Sequence, residues 1–155
     1  MIFLPRNNMN IPVELQVKIG SQTIERIGSD MPDKCFKFLG HILDDKLSWE
    51  SHIRNIQSKI SAGNFALARV KKTLPTSIKN MLYNSLIKSH LEYGILAWGG
   101  ISQSKLNKLL NIQKKAIRNV SGKFKLSHCD PLFHSLQVLK IHDLYRYTCA
   151  VFMYK

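Results

Sequence analysis

Asp44 and Asp45 are adjacent carboxylates, the type of residue that metal-assisted chemistry requires. Two acids on a hairpin turn can hold Mg²⁺ for a two-metal displacement. The nearest preceding acids, Asp30 and Asp33, lie in a turn-like stretch and not at the end of a strand. The pair is therefore interpreted as a solvated hairpin turn, and no catalytic residue is predicted in this chain.

Six histidines raise the question of a metal site: His41, His52, His90, His128, His134 and His142. Zinc sites use closely spaced pairs of cysteines and histidines. His128 and His134 have a suitable spacing, but Cys129 has no second cysteine near it. Caps, turns and surface positions are therefore the expected environments of these histidines, and neither a metal nor a cofactor is predicted.

The cysteines and the apolar runs bear on the cellular compartment. The three cysteines, Cys35, Cys129 and Cys149, are odd in number and widely spaced. This pattern favours a reduced intracellular compartment, the nucleus or the cytoplasm, over a disulfide framework. The apolar runs are too short for a membrane helix, so no membrane association is expected.

The positive charge is concentrated in one part of the sequence. Residues 1–48 hold six Lys/Arg and six Asp/Glu, whereas residues 49–155 hold seventeen Lys/Arg and four Asp/Glu. The formal net charge of +13 therefore belongs entirely to the second part. Such an excess predicts a polyanionic partner, because each neutralised phosphate releases counterions. The alternative is a basic surface that only confers solubility.

Basic side chains that lie largely off the apolar faces of the predicted helices are the candidate phosphate ligands. They are Arg54, Lys59, Arg69, Lys71, Lys72, Lys105, Lys108, Lys114, Lys115 and Arg118. Contacts of this kind position a nucleic acid without reading its sequence. Trp98, Tyr93 and Tyr83 could instead stack on bases. Their apolar surroundings favour a different role for Trp98, as the anchor of the helical core.

Short strands are predicted before residue 49. Residues 13–19 alternate between apolar and polar side chains, which predicts a half-buried strand, and residues 22–27 predict a second strand after the Gly20-Ser21 turn. Apolar residues on both sides of Gly40 predict a second hairpin. Ser48 is the expected N-cap of the helix that follows.

Helices are predicted for the rest of the chain. The first runs from Trp49 to about Thr73, with Gly63 in a gap of its apolar stripe where a neighbour can approach closely. The predicted buried side chains of this helix are Ile53, Ile56, Ile60, Leu67 and Val70. Leu74-Pro75 ends it, and Thr76 or Ser77 is expected to cap the next. The buried face of this second helix is predicted to hold Ile78, Leu82 and Leu86, and Tyr83 is a further candidate for it.

Three further helical segments are predicted after Gly99-Gly100. Ser102 is expected to cap a helix from about Gln103 to Val120, and Gly122 is expected to stop it. Its predicted buried side chains are Leu106, Leu109, Leu110, Ile117 and Val120. Asp130-Pro131 predicts a cap and a proline at the first position of a short helix through Leu136. A last helix from His142 or Asp143 carries Leu144, Tyr147, Val151 and Tyr154.

Several of these segments together resemble a known family. The segments are Phe38-Leu39-Gly40, then Asp44, Leu47-Ser48-Trp49 and His52-Ile53, then Leu74-Pro75, Tyr93 through Trp98-Gly99, Leu109 with Gln113 through Arg118, and Asp130 through Phe133. In this order they resemble the part that follows the catalytic palm in reverse transcriptases of non-LTR, LINE-like retrotransposons. The resemblance covers nearly the whole chain.

The resemblance implies a role for each part. Phe38, Leu39 and Gly40 are similar to the primer grip, which holds the 3′ end of the primer, and the helices are similar to the thumb. The implied partner is an RNA–DNA hybrid or a DNA duplex bound through phosphates, together with the upstream palm and fingers. The family's catalytic carboxylates would lie upstream, so Mg²⁺ is expected only in the missing palm and this chain alone is not expected to polymerise.

The sequence thus predicts an α+β, mainly helical protein in two parts. Residues 1–48 are interpreted as a palm-edge remnant with a primer-grip-like hairpin, and residues 49–155 as a basic thumb-like bundle of five or six helices. Two alternatives remain open at this point. One is a stand-alone nucleic-acid-binding helical module, and the other is a protein–protein interaction bundle with an exposed apolar face.

Overall fold

The computed structural model describes residues 17–24, 35–123 and 127–154. The chain divides into two compact units between His52 and Ile53, and each unit is described by itself. Within the described residues, two small antiparallel hairpins precede a mainly helical region. The α+β, mainly helical prediction agrees with this architecture at that level.

The first hairpin consists of β1 (Val17–Ile19) and β2 (Gln22–Ile24), with Lys18 opposite Thr23. Gly20 has a φ of 61° and forms the predicted turn. The remainder of both predicted strands, residues 13–16 and 25–27, lies outside the described residues. Ile19 is 70% exposed, so the prediction of a half-buried face is wrong at this residue. A two-stranded hairpin has no second layer of its own to cover either face.

The second hairpin consists of β3 (Cys35–Phe38) and β4 (His41–Asp44), paired from Cys35↔Asp44 to Phe38↔His41. Leu39 and Gly40 form its two-residue turn with φ angles of 44° and 80°. Two positive φ angles are the signature of the turn whose twist matches antiparallel strands. The prediction of a hairpin around Gly40 is confirmed.

The loop after this hairpin holds three polar residues whose roles were predicted from the sequence. The Asp44 carboxylate accepts hydrogen bonds from the backbone N–H groups of Ser48 (3.0 Å) and Trp49 (3.2 Å). Asp45 is buried, with 3% of its surface exposed, so the pair is not a solvated turn. Ser48 Oγ accepts a 3.4 Å hydrogen bond from Glu50 N, as expected of an N-cap, and Asp44 caps the same helix start together with it.

The helical elements are seven α-helices and one π-helical turn within the described residues. They are α1 (Glu50–Arg69), α2 (Thr76–Tyr83), the π-helical turn (Asn84–Lys88), α3 (Ser89–Glu92), α4 (Ile95–Trp98), α5 (Gln103–Val120), α6 (Asp130–Ser135) and α7 (Ile141–Tyr154). The segment from α2 through α3 is continuous, because the residues at both junctions keep right-handed helical angles. Counted in this way there are six helices, within the predicted number.

The first predicted helix is shorter than expected but buries the expected side chains. α1 ends at Arg69 and not at Thr73, and Val70 is only half-buried in the turn that follows. Ile53, Ile56, Ile60 and Leu67 are each at most 4% exposed, as predicted. A Cβ atom on Gly63 would lie 2.9 Å from Leu86 O and 3.2 Å from Ile87 Cγ1. The predicted close approach at this glycine is therefore confirmed.

The buried face of the second predicted helix is shifted by one residue along the sequence from the face that was predicted. Thr76 is its first residue and Pro75 occupies the N-cap position, without a side-chain cap. The buried residues of the continuous segment are Lys79, Tyr83, Ile87 and Leu91. Ile78 and Leu86 are exposed and Leu82 is half-buried, so the predicted buried face is wrong except for Tyr83. Leu86 and Ile87 of this segment are the residues that approach Gly63 of α1.

α5 forms the centre of the helical unit and contacts α2, α6 and α7. Its bounds and its five predicted buried residues are confirmed, and Gln113 and Ala116 are buried with them. Ser102 takes the N-cap position, but its side chain bonds Ser104 and caps no backbone group. Gly122, with a φ of 70°, ends the helix as predicted.

The last two helices differ from prediction in detail. α6 includes Asp130, with Cys129 at the N-cap, so the predicted cap and proline positions are each shifted by one residue. α7 begins at Ile141 and buries only Ile141 and Leu144. Trp98 is fully buried and its Nε1–H donates to Tyr93 O over 3.0 Å, so the predicted core anchor is confirmed.

Candidate nucleic-acid interface

The tip of the second hairpin presents the three primer-grip-like residues. Phe38, Leu39 and Gly40 are consecutive at the end of β3 and in the turn, where Phe38 is 53% and Leu39 72% exposed. Leucine rarely adopts a positive φ, because its Cβ crowds the following carbonyl oxygen. The hairpin thus carries a large apolar side chain at a strained position where asparagine would fit more easily.

Two histidines and a tryptophan lie at the base of this hairpin. Ile42 N donates to His52 Nδ1 over 3.3 Å, so this ring nitrogen is an acceptor, and His52 Nε2 lies 3.3 Å from His41 Nδ1. The Trp49 ring lies edge-on to both imidazoles. His52 is 3% exposed, so the expectation of a cap, turn or surface position is wrong for this residue. The arrangement fixes the start of α1 against β4.

The acidic pair is occupied by the fold and does not present a magnesium site. Both oxygens of Asp44 accept backbone hydrogen bonds, and Asp45 is buried. Among the described residues, no three His, Cys, Asp or Glu side chains converge where they could hold a metal ion. His128 and His134 are both exposed and belong to no such group. In this part of the chain, Asp44 serves the start of α1.

All ten basic residues predicted from the sequence lie at the surface of the protein. Lys71, Lys105, Lys114 and Arg118 are half-buried, and the other six are exposed. Lys79, which was not predicted, is the exception among the basic residues of the helices. It is 4% exposed, and its Nζ donates to Lys71 O over 3.2 Å, so this lysine ties α2 to the turn that follows α1.

Three of the ten basic residues meet in a cleft of about 500 Å³, here called the basic cleft. It is lined by Asn64, Ala68, Lys71, Lys115, Arg118, Asn119 and Lys123. The first three belong to the end of α1 and the turn after it, and the others belong to the end of α5 and the residues after it. Four of the seven lining residues are cationic and none is acidic.

Hydrogen bonds hold the walls of the basic cleft together. Asn119 Nδ2 donates to Asn64 Oδ1 over 2.9 Å, which joins α5 to α1. Lys71 Nζ donates to Lys123 O over 2.6 Å, and Arg118 Nε donates to Ser127 O over 3.0 Å. The backbone N–H of Lys123 donates to Arg118 O, so the turn at Gly122 brings Lys123 back beside Arg118. Two segments far apart in sequence thus form one cationic surface.

The sequence did not identify three residues of the basic cleft, because each has a sequence pattern that is common at the surface of helices. They are Asn64, Asn119 and Lys123. An asparagine on the polar side of a helix predicts only exposure, and a lysine after a C-terminal glycine is common near the negative end of a helix. Their joint role depends on the pairing of α1 with α5. The remaining seven predicted basic residues lie outside the lining of the basic cleft.

The aromatic candidates for base stacking are largely excluded by burial. Tyr83 and Trp98 are fully buried, whereas Tyr93 is 56% exposed. Burial and its consequent desolvation raise the pKa of Tyr83 to about 12, although the hydrogen bond from Gln113 lowers it. Tyr83 and Trp98 therefore belong to the core.

A search of the described residues for membrane-spanning helices found none with the required length and hydrophobicity.

Comparison with known proteins identifies relatives over most of the chain. It is 32% identical over 114 residues to the RNA-directed DNA polymerase from mobile element jockey of Drosophila melanogaster, and 32% identical over 116 residues to that of Drosophila funebris. It is 26% identical over 102 residues to a probable RNA-directed DNA polymerase from transposon X-element of Drosophila melanogaster. These matches cover 71%, 72% and 64% of this chain.

The matched region is a small part of each relative. It spans 12% of both jockey polymerases and 11% of the X-element polymerase. No family model matches the chain, and no solved structure matches it. The resemblance derived from the sequence nevertheless agrees with all three relatives, which come from non-LTR mobile elements. The chain therefore belongs to the reverse transcriptases of non-LTR retrotransposons and corresponds to one part of such a polymerase.

Proposed function

We propose that this chain is the primer-grip and thumb part of a retrotransposon reverse transcriptase, and that it holds a template–primer duplex through its phosphates. The observation that carries the proposal is the surface position of all ten predicted basic residues in a relative of RNA-directed DNA polymerases. The part after residue 48 carries the entire net charge of +13. Cationic side chains on helices suit contacts to a backbone whose sequence must not matter.

The hairpin tip has a different part in this proposal. Phe38 and Leu39 present apolar surface at the end of a narrow, twisted hairpin, as expected of an element that packs against the sugar and base of a primer end. The catalytic carboxylates and their Mg²⁺ belong to the palm of the parent polymerase, which we place with the fingers among the partners of this chain. The parent enzyme would act in the nucleus or the cytoplasm.

Salt-dependent binding to an RNA–DNA hybrid tests the proposal. Affinity, measured by fluorescence anisotropy, should be similar for two unrelated hybrid sequences and fall with salt by a log–log slope of about −0.9 per phosphate neutralised. The double variants Lys71→Gln with Lys72→Gln and Lys114→Gln with Lys115→Gln should each flatten the slope by up to about 2. The matched control, Lys18→Gln with Lys34→Gln, removes the same charge from the neutral part and should leave the slope unchanged. A slope near zero, or equal effects of all three variants, would refute the proposal.

A second candidate function is protein–protein binding through the last turns of α7. Tyr147 is 60%, Phe152 68%, Met153 86% and Tyr154 94% exposed, so this helix presents apolar surface to solvent. The relatives extend well beyond the matched 12%, so the occupant that we propose is further polypeptide of the polymerase. Salt-insensitive binding of a separately produced palm-and-fingers fragment of the jockey polymerase, lost in Phe152→Ser with Met153→Ser, would support this candidate.

A further inference from the structure

We infer that the basic cleft is a phosphate-binding site that seats one or two consecutive phosphate groups of a nucleic-acid strand. This inference rests on the proposed function for the nature of its ligand, and it adds the location of the site and three residues that the sequence did not indicate. A volume of about 500 Å³ is within the usual range of ligand pockets, about 300–1,000 Å³. A flat basic surface would track a backbone, whereas a cleft encloses a particular group.

The positive charge of the residues that line the basic cleft exceeds the negative charge that the helix ends place there. The C-terminal ends of α1 and α5 both lie at the cleft, and each carries a partial charge of about −0.5. Together they offset about one of the four cationic side chains that line the cleft. Since no acidic residue is among the lining residues, an excess of about three positive charges remains for solvent ions or a ligand. A phosphate diester or monoester provides the opposite charge and several acceptor oxygens.

Hydrogen bonds also fix the positions of cationic groups in the basic cleft. The Arg118 Nε–H is used by Ser127 O, which fixes the plane of the guanidinium and leaves its two Nη groups as the donors of a fork. Lys71 is held by Lys123 O, and the Asn64–Asn119 hydrogen bond fixes the distance between the two walls. Donors that are oriented before binding lose less entropy when they bind. The fork geometry of Arg118 matches two oxygens of one phosphate group.

Inorganic pyrophosphate is the direct probe of the site. In a ¹⁵N NMR titration of the whole chain at low salt, the largest shifts should occur at the side-chain amides of Asn64 and Asn119 and at the backbone amide of Lys123. Lys115→Gln with Arg118→Gln should weaken pyrophosphate binding at least about tenfold, as expected for the loss of two charge-assisted contacts. The matched control, Lys18→Gln with Arg146→Gln, removes one lysine and one arginine elsewhere and should keep the affinity. Shifts spread evenly over the basic surface, or equal weakening by both variants, would overturn the inference.

The double variant could unfold because Arg118 also donates a hydrogen bond to Ser127 O, so a second variant that leaves Arg118 intact is needed. Lys115 is exposed and lies among other cations, so Lys115→Glu should not lower the melting temperature, yet it should weaken pyrophosphate binding because it places a carboxylate in the cleft. Unchanged pyrophosphate affinity in Lys115→Glu would overturn the inference even if the double variant fails to fold.

Hybrids with and without a 5′-phosphate identify which phosphate enters the cleft. Tighter binding of the phosphorylated hybrid assigns a strand end, and equal binding assigns internal diesters; in both cases the cleft variant must lose more affinity than the matched control. If hybrid binding keeps its full salt dependence in the cleft variant, the inference fails and the proposed function stands. If pyrophosphate binds the cleft but hybrids show no salt-dependent binding, the proposed function fails instead.

Discussion

Gln113 is the residue through which three helices of the larger unit are joined. Its Nε2 donates to Tyr83 Oη and to Leu139 O, both over 2.9 Å, and its Oε1 accepts from Ile141 N over 3.1 Å. The side chain is 1% exposed, yet its hydrogen-bonding groups have partners. Although Lys114 and Lys115 follow it in the sequence, this glutamine lies in the core and supplies an acceptor for the first N–H group of α7.

Gln113→Leu is expected to destabilise the protein by about 2–4 kcal/mol, because Tyr83 Oη and Ile141 N would stay buried without this partner. Urea unfolding followed by circular dichroism measures the change. The exposed Asn111 lies on the same helix, and Asn111→Leu should change the free energy of unfolding by less than about 0.5 kcal/mol. Equal effects of the two substitutions would mean that the network contributes nothing.

Tyr83 should make the protein sensitive to alkaline pH. Burial raises its pKa from 10.0 to about 12, so the folded state holds the phenol proton more tightly than the unfolded state. The stabilisation is complete below pH 10 and is lost as the pH rises through 12, by up to about 2–3 kcal/mol. Lysines also titrate in this range, so the measurement is the difference in unfolding free energy between the protein and Tyr83→Phe at pH 8 and pH 11.5. A difference that is independent of pH would contradict the assignment.

At the scale of elements, the π-helical turn explains the buried face of the second long helical segment. Lys79, Tyr83, Ile87 and Leu91 are buried at intervals of four residues. In an ideal α-helix such residues drift by about 40° per step around the axis. The wider turn at Asn84–Lys88 absorbs part of this drift, because its hydrogen bonds span one residue more. The four side chains can therefore face one core.

Gly63 is expected to be required where α1 crosses this turn. Alanine normally stabilises a helix interior by up to about 1 kcal/mol relative to glycine. Here its Cβ would lie 2.9 Å from a backbone oxygen of Leu86, so the helices would have to separate at a cost of about 1–3 kcal/mol. Gly63→Ala should therefore lower the melting temperature, while Ser61→Ala on the exposed face should not. A more stable Gly63→Ala would show that the contact relaxes easily.

Leucine at position 39 is expected to make the turn of the second hairpin less stable than asparagine would. Leu39 has a φ of 44°, which asparagine adopts more readily, so Leu39→Asn should stabilise the hairpin by about 0.5–1 kcal/mol. Gly40, with a φ of 80°, should show the opposite effect when changed to alanine. Hydrogen exchange of the β3 and β4 amides measures both. If Leu39→Asn increases exchange, the leucine side chain itself stabilises the turn.

At the scale of the whole molecule, charge repulsion opposes folding. Residues 49–155 hold seventeen basic and four acidic residues, so at least thirteen positive charges have no acidic counterpart in that part. Ion pairs such as Lys140–Asp130, at 2.9 Å, can offset only a few. Raising the salt concentration from about 20 to 200 mM should therefore raise the melting temperature, since it shortens the screening length. A melting temperature that falls with salt would mean that ion pairs outweigh the repulsion.

The sequence by itself determined the existence and type of most helices and strands, the location of the positive charge and the family of this protein. Each depends on local spacing or composition: the bounds of α5, the turn at Gly40 and the surface position of Lys115 follow from patterns within a few residues. The tertiary structure alone decided that Asn64 meets Asn119, that Lys123 joins Arg118 in the basic cleft, and that Tyr83 and not Leu82 faces the core. These outcomes depend on how one helix packs against another, as where Gly63 meets Leu86 and where Asn64 meets Asn119, and no pattern within a few residues records such contacts.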